Sequence, residues 1–129
     1  MSAFDSWLAS TTHPVTLFVI ADLFESDEFG GWFSALLAKY GERLTVGCHG
    51  LTHRSWSAWP EDKDGFSSAL MQATAILSKR APAHFRHWFR APASYIAPWM
   101  AEVLAEQGYG VDSSVNPSWL VAKQAGKGN

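Results

Sequence analysis

The chain has 129 residues, of which 47% are hydrophobic and 17% charged, and a formal net charge of -2. That is enough apolar sequence for one domain with a real core, and too much for a disordered chain. The near-neutral balance, without a basic stripe, excludes nucleic acid as the main partner. No stretch approaches the ~20 apolar residues of a membrane span, and a single cysteine, Cys48, allows no internal disulfide.

Taken in order, Phe4, Trp7 and Leu8 lie at helical spacing, and 11–14 breaks that helix. Asp5 falls on its surface. Val15-Thr-Leu-Phe-Val-Ile20 is a β-rich apolar run and predicts a strand, followed by Ala21-Asp22 and a polar turn. Ser26 is placed to cap the next helix, with Asp27 and Glu28 in its first turn. Phe29, Phe33, Leu36, Leu37 and Tyr40 form its apolar face, and Gly41 is the expected stop. Leu44 to Cys48 predicts a second strand, in which Cys48 is a buried, inert thiol.

Arg54 to Pro60 reads as a loop holding Trp56 and Trp59. Glu61 to Arg80 predicts a helix with Phe66, Leu70, Ala73, Ile76 and Leu77 on one stripe, starting from the solvated acids Glu61, Asp62 and Asp64. Phe85 to Phe89 predicts a third strand with Trp88 in the core, running into Arg90-Ala-Pro92. Pro98 suits the first turn of a helix that Gly108 closes. Tyr109 to Val111 is a fourth short strand, and the Gly- and Lys-rich stretch 122–129 is a frayed tail. The whole reads as one domain, 1–129. No signal peptide is visible, and the compartment stays open.

Strand and helix alternate, which argues for parallel strands with the functional groups at their carboxyl ends. Asp22 follows the first strand, His49 and His53 the second, Arg90 the third and Asp112 the fourth. A helical turn after the second strand would point both imidazoles to one side, the start of a metal site. Asp22 is either a further ligand or an ordinary turn residue. His13, His84 and His87 lie away from this rim and take no role. Trp56 and Trp59 either stack on sugar rings or pack under their loop.

These residues resemble the polysaccharide deacetylase family, the NodB-homology domain of carbohydrate esterase family 4. Thr16-Leu-Phe-Val-Ile20 is similar to its T-F-F-V strand. His49-Gly-Leu-Thr-His53 is similar to its H-S/T-x-x-H metal motif, with Gly50 at the second position. Arg90-Ala-Pro92 resembles its R-x-P motif. Tyr109-Gly-Val-Asp112-Ser-Ser, with Asn116-Pro117 beyond, resembles its fourth motif.

The resemblance implies an α/β fold, a partial (β/α) barrel of about four parallel strands with flanking helices. It implies a divalent metal, zinc, held by His49 and His53, and removal of acetyl groups from an acetylated amino sugar or polysaccharide. Arg90 and Asp112 would be catalytic, Arg90 orienting a carboxylate and Asp112 pairing with it. Pro92, Trp56 and Trp59 would meet the carbohydrate.

Two parts of the family pattern have no counterpart: the Asp-Asp motif that supplies the base and third ligand, and the L-x-H segment that supplies the acid. The sequence therefore resembles the middle of the domain, with a sheet edge open at each end for a second copy or further protein to cover. A non-catalytic carbohydrate-binding or interaction module of deacetylase descent is the competing expectation.

Overall fold

The computed structural model describes residues 2–114. The tail at 122–129 and Asn116-Pro117 lie outside the described residues. Helix α1 (Ser2–Ala9) precedes strand β1 (Val15–Val19); then come α2 (Asp27–Tyr40), β2 (Leu44–Cys48), α3 (Lys63–Arg80), β3 (Phe85–Phe89), α4 (Pro98–Glu106) and β4 (Val111–Asp112). The strands form one sheet in the order β1-β2-β3-β4, every pair parallel. The alternation expected of the sequence is the alternation found.

Register decides which side chains share a face. Leu17 and Val19 lie opposite Val46 and Cys48, and successive residues of a strand point to opposite faces. One face carries Val19, Leu44, Val46, Cys48, Phe85 and Phe89, all buried. It packs on Phe33, Leu36 and Leu37 of α2, on Phe66, Leu70 and Leu77 of α3, and on Met100, Val103 and Leu104 of α4. Each such side chain contributes up to about 1.5–3 kcal/mol by leaving water. The other face carries Thr16, Phe18, Thr45, Gly47, Trp88 and Val111. Trp88 is therefore only half-buried and not in the core: it alternates with Phe89, which takes the core side.

The helix ends show why these segments start and stop. Ser26 Oγ accepts from the Phe29 amide at 3.2 Å and begins α2 as expected. Asp62 does more than sit in solvent, because its Oδ1 accepts from the Gly65 amide at 2.9 Å and caps α3. Gly41 is not a left-handed stop. Its φ is -49°, and the chain runs on through a 3-10 turn, Gly41–Arg43. A Cβ there would lie 2.9 Å from His84 Nε2, so the His84 ring end would have to shift. Gly108, at φ +81°, does close α4. The fourth strand starts later than expected, since Tyr109 is buried and its hydroxyl bonds the Thr74 hydroxyl at 2.6 Å.

Candidate functional site

The chain does not turn helically after β2. The ladder between β1 and β2 continues past both strands: the His49 amide donates to the Val19 carbonyl, Ala21 to Gly50, and Asp22 to Leu51, each at 2.9 Å. These bonds tie 49–51 to the end of β1 and the turn that follows it. Gly50 then takes φ +97°, a left-handed value that favours glycine, and the chain bends through 51–53. The bend brings the two imidazoles together by another route, with ring centroids 5.3 Å apart and planes at 60°.

His49 is oriented by β3. Its Nδ1 lies 2.7 Å from the Arg90 carbonyl oxygen. A carbonyl only accepts, so Nδ1 carries the proton and donates, and Nε2 keeps its lone pair. Burial pushes the imidazole below its ordinary value, the neighbouring charges of His53 and Arg90 add to this, and the hydrogen bond to the Arg90 carbonyl opposes it. The neutral ring is the form a metal needs. Beside it, burial pushes the Cys48 thiol up to about 11, and Cys48 Sγ accepts from the Gly50 amide at 3.3 Å. Cys48 is a packing residue, as expected.

Arg90 leaves the end of β3 exposed and is held twice. Its guanidinium carbon lies 4.9 Å from the centre of the Phe18 ring, and its Nε donates to Ser113 Oγ at 2.8 Å. Phe18 lies across from Gly47 in register, and a Cβ on Gly47 would come within 2.7 Å of that ring. The glycine lets the ring lie on the sheet and carry the guanidinium. The expected Arg90–Asp112 pair does not form. Asp112 is in register with Phe89 and so shares the core-side face, whereas Ser113 shares the face of Arg90. The Asp112 carboxylate instead accepts from the Ser114 amide at 2.9 Å.

Asp22 also lies apart from the imidazoles. It lines a cleft of about 410 Å³ with Glu25, Gln72, Lys79 and Arg80. Among the described residues, no group of three His, Cys, Asp or Glu is placed to hold a metal ion. The centroid spacing of the pair is of the size that a shared metal would need. Two imidazoles on one tetrahedral zinc, with bonds of roughly 2.0–2.1 Å, have centroids about 5 Å apart.

The loops after β2 and β3 are tied together. Ser57 Oγ donates to the Tyr95 carbonyl at 3.0 Å, and the buried Ser55 Oγ reaches the Pro92 carbonyl at 3.4 Å. Pro92 is buried, and its ring would touch a Cβ on Gly50. Beyond it Ala93 and Ser94 both take left-handed φ, 61° and 57°, strain of order 1–3 kcal/mol each that the closed turn must offset. Trp56 meets Phe66 edge-on at 5.8 Å and packs on the core, whereas Trp59 is 42% exposed. An apolar groove of about 470 Å³ opens beside His49 and Arg90, lined by Phe18, Ile20, Phe29 and Trp32.

Phe18, Ser113 and Ser55 were not foreseen from the sequence. A signal existed for two of them. Phe18 stands opposite a glycine in the neighbouring strand, and position 113 shares the alternation of a strand that includes Val111.

No family model matches the sequence, and no curated protein matches it. Two solved structures do. A Mycobacterium smegmatis protein assigned as a polysaccharide deacetylase superposes with a TM-score of 0.69 at 21% identity, over 87% of this chain. IcaB from Ammonifex degensii gives 0.63 at 22% identity over 77%. The fold is that of the polysaccharide deacetylases. The chain spans 43% and 47% of those two structures, less than half of either.

Proposed function

We propose that this chain carries the metal-binding side of a hydrolase that removes acetyl groups from an acetylated amino sugar or polysaccharide. The observation that carries the proposal is the His49–His53 pair, 5.3 Å between ring centroids, with His49 held through Nδ1 so that Nε2 keeps its lone pair. His49 and His53 would hold a divalent metal, zinc by the chemistry of the donors, together with a ligand from outside the described residues. When bound, such a metal polarises a carbonyl oxygen and makes water acidic. Arg90, propped on Phe18 and held by Ser113, presents its remaining N–H groups to a carboxylate or to the substrate. Trp59 offers an exposed ring to a sugar face, while Trp56 and Pro92 brace the loops.

The test is acetate release from acetylated amino-sugar oligomers by chelated and zinc-reloaded protein. Zinc-dependent release that His49→Ala and His53→Ala abolish supports the proposal; no release from folded, zinc-loaded protein contradicts it.

One observation favours the second reading, a carbohydrate-binding module without turnover. The Asp112 carboxylate accepts from a backbone amide and does not pair with Arg90. That module predicts glycan binding without acetate release, more sensitive to Trp59→Ala than to His49→Ala.

A further inference from the structure

The loop that carries the imidazole pair also holds a cation that the proposed chemistry does not use. Arg54 follows His53 by one residue, a Cα step of about 3.8 Å. Its guanidinium carbon lies 4.5 Å from the Trp56 ring centre and 5.8 Å from that of Trp59. Its Nε is enclosed and has no hydrogen-bond partner among the described residues. Among the described residues neither ion pair includes it. The nearest acid along the chain, Glu61, makes no ion pair with it among the described residues, and the next, Asp62, is committed to the cap of α3.

Two other arginines are held differently. Arg90, at the end of β3, donates to Ser113; Arg43, before β2 at the opposite end of the sheet, donates to the carbonyls of Leu8 and His13, although its enclosed Nη2 also lacks a partner among the described residues. Arg54 alone of the three is held by indole rings with no oxygen partner among the described residues. A guanidinium cannot shed its charge, and ring stacking satisfies its faces but not its N–H edge. That edge is a planar fork of donors which matches a carboxylate or phosphate in two parallel bonds. The partly exposed Trp59 beside it can take the apolar face of the same sugar.

We propose that Arg54, braced by Trp56 and Trp59, is a subsite for an oxyanion on the glycan, so that the substrate is an acidic carbohydrate bearing a carboxylate or phosphate group next to the unit at His49 and His53. This rests on the carbohydrate reading of the rim and narrows it. The enclosed Nε is out of a ligand's reach, but the terminal N–H groups of the fork are not enclosed, and an acidic group would pair with them where a neutral polymer leaves them to water.

The experiment is titration of metal-free, full-length protein, followed by the indole Nε1–H signals of Trp56 and Trp59 in 15N-resolved NMR. The probes are a glucuronate-containing oligosaccharide, a sugar phosphate, and a neutral oligosaccharide of equal length. The expected result is that at least one acidic probe shifts both indoles with at least ~10-fold tighter binding than the neutral one. Which acid binds tighter assigns the anion as carboxylate or phosphate. Arg54→Gln is expected to erase the preference, and Arg54→Lys to retain part of it with a folded spectrum. Equal binding of acidic and neutral probes overturns the subsite, as does a preference that survives Arg54→Gln. Because the metal is absent, these results stand apart from acetate release: an Arg54-dependent acid preference in a protein that releases no acetate sinks the hydrolase reading alone.

Discussion

Arg90 Nε donates to Ser113 Oγ across 2.8 Å, while Asp112, one residue earlier, turns its carboxylate to a backbone amide. Strand alternation is the cause, since β4 presents 111 and 113 to the face of Arg90 and 112 to the face of Phe89. Ser113→Ala is therefore expected to free the guanidinium at a cost of about 0.5–1.5 kcal/mol. Asp112→Asn should leave Arg90 in place. The Arg90 side-chain Nε–H signal in NMR checks this: it is slow to exchange in wild type and Asp112→Asn, and lost in Ser113→Ala. The reverse pattern would restore the Arg90–Asp112 pair.

A second expectation concerns the proton on His49. In metal-free protein the ring should be the Nδ1–H tautomer, held by the Arg90 carbonyl. Long-range 15N–1H correlation distinguishes the two tautomers by the shift of the unprotonated nitrogen. An Nε2–H ring would mean that the bond to Arg90 does not form and that the lone pair faces the wrong way.

Cys48 makes the pH dependence testable. Burial raises its thiol to about 11 from an ordinary value of 9.0, so the folded chain gives up this proton less readily than the unfolded chain. The protonated thiol costs nothing below about pH 9, where both states keep it; above that, the unfolded state is favoured progressively until the folded thiol also ionises near 11. The urea midpoint of wild type should thus fall between about pH 9 and 10.5 more steeply than that of Cys48→Ala. Alkylation of native Cys48 at pH 9 should be at least ~100-fold slower than in urea. Equal rates would place the thiol in solvent.

Gly47→Ala probes the platform under Arg90. The new methyl would meet the Phe18 ring at 2.7 Å and the Trp88 carbonyl at 3.0 Å. Overpacking of this kind costs about 1–3 kcal/mol. Phe18→Leu in the same background should recover part of the loss in urea unfolding, because it removes the ring that collides. No recovery would mean that the Trp88 carbonyl, not the ring, sets the cost.

The strand and helix order was legible because short β-rich apolar runs such as Val15 to Val19 alternate with the 3.6-period stripe of Phe29, Phe33, Leu36 and Leu37, and because Ser26 marks a helix start. The bend after His49 was not. It depends on ladder bonds from Ala21 and Asp22, which are distant in sequence, and on Gly50, which local pattern leaves free to be helical or not. Facing was only half legible at the fourth strand: alternation groups 113 with Val111, but only the register with β3 shows that this is the face of Arg90. Trp88 shows the same limit, because hydrophobicity cannot say which face of a parallel sheet the helices cover. Gly41 looked like a left-handed helix stop by residue type, whereas it takes a right-handed φ and lies against the His84 ring.

The central claim is that His49 and His53 share a divalent metal. Isothermal titration of zinc into chelator-stripped wild type, His49→Ala, His53→Ala and the double variant tests it, with folding of each checked by circular dichroism. One-site binding by wild type, weakened more than ~100-fold in either single variant and absent in the double variant, is the predicted result. Folded wild type that takes up no zinc, or a double variant that binds it as tightly as wild type, would contradict it.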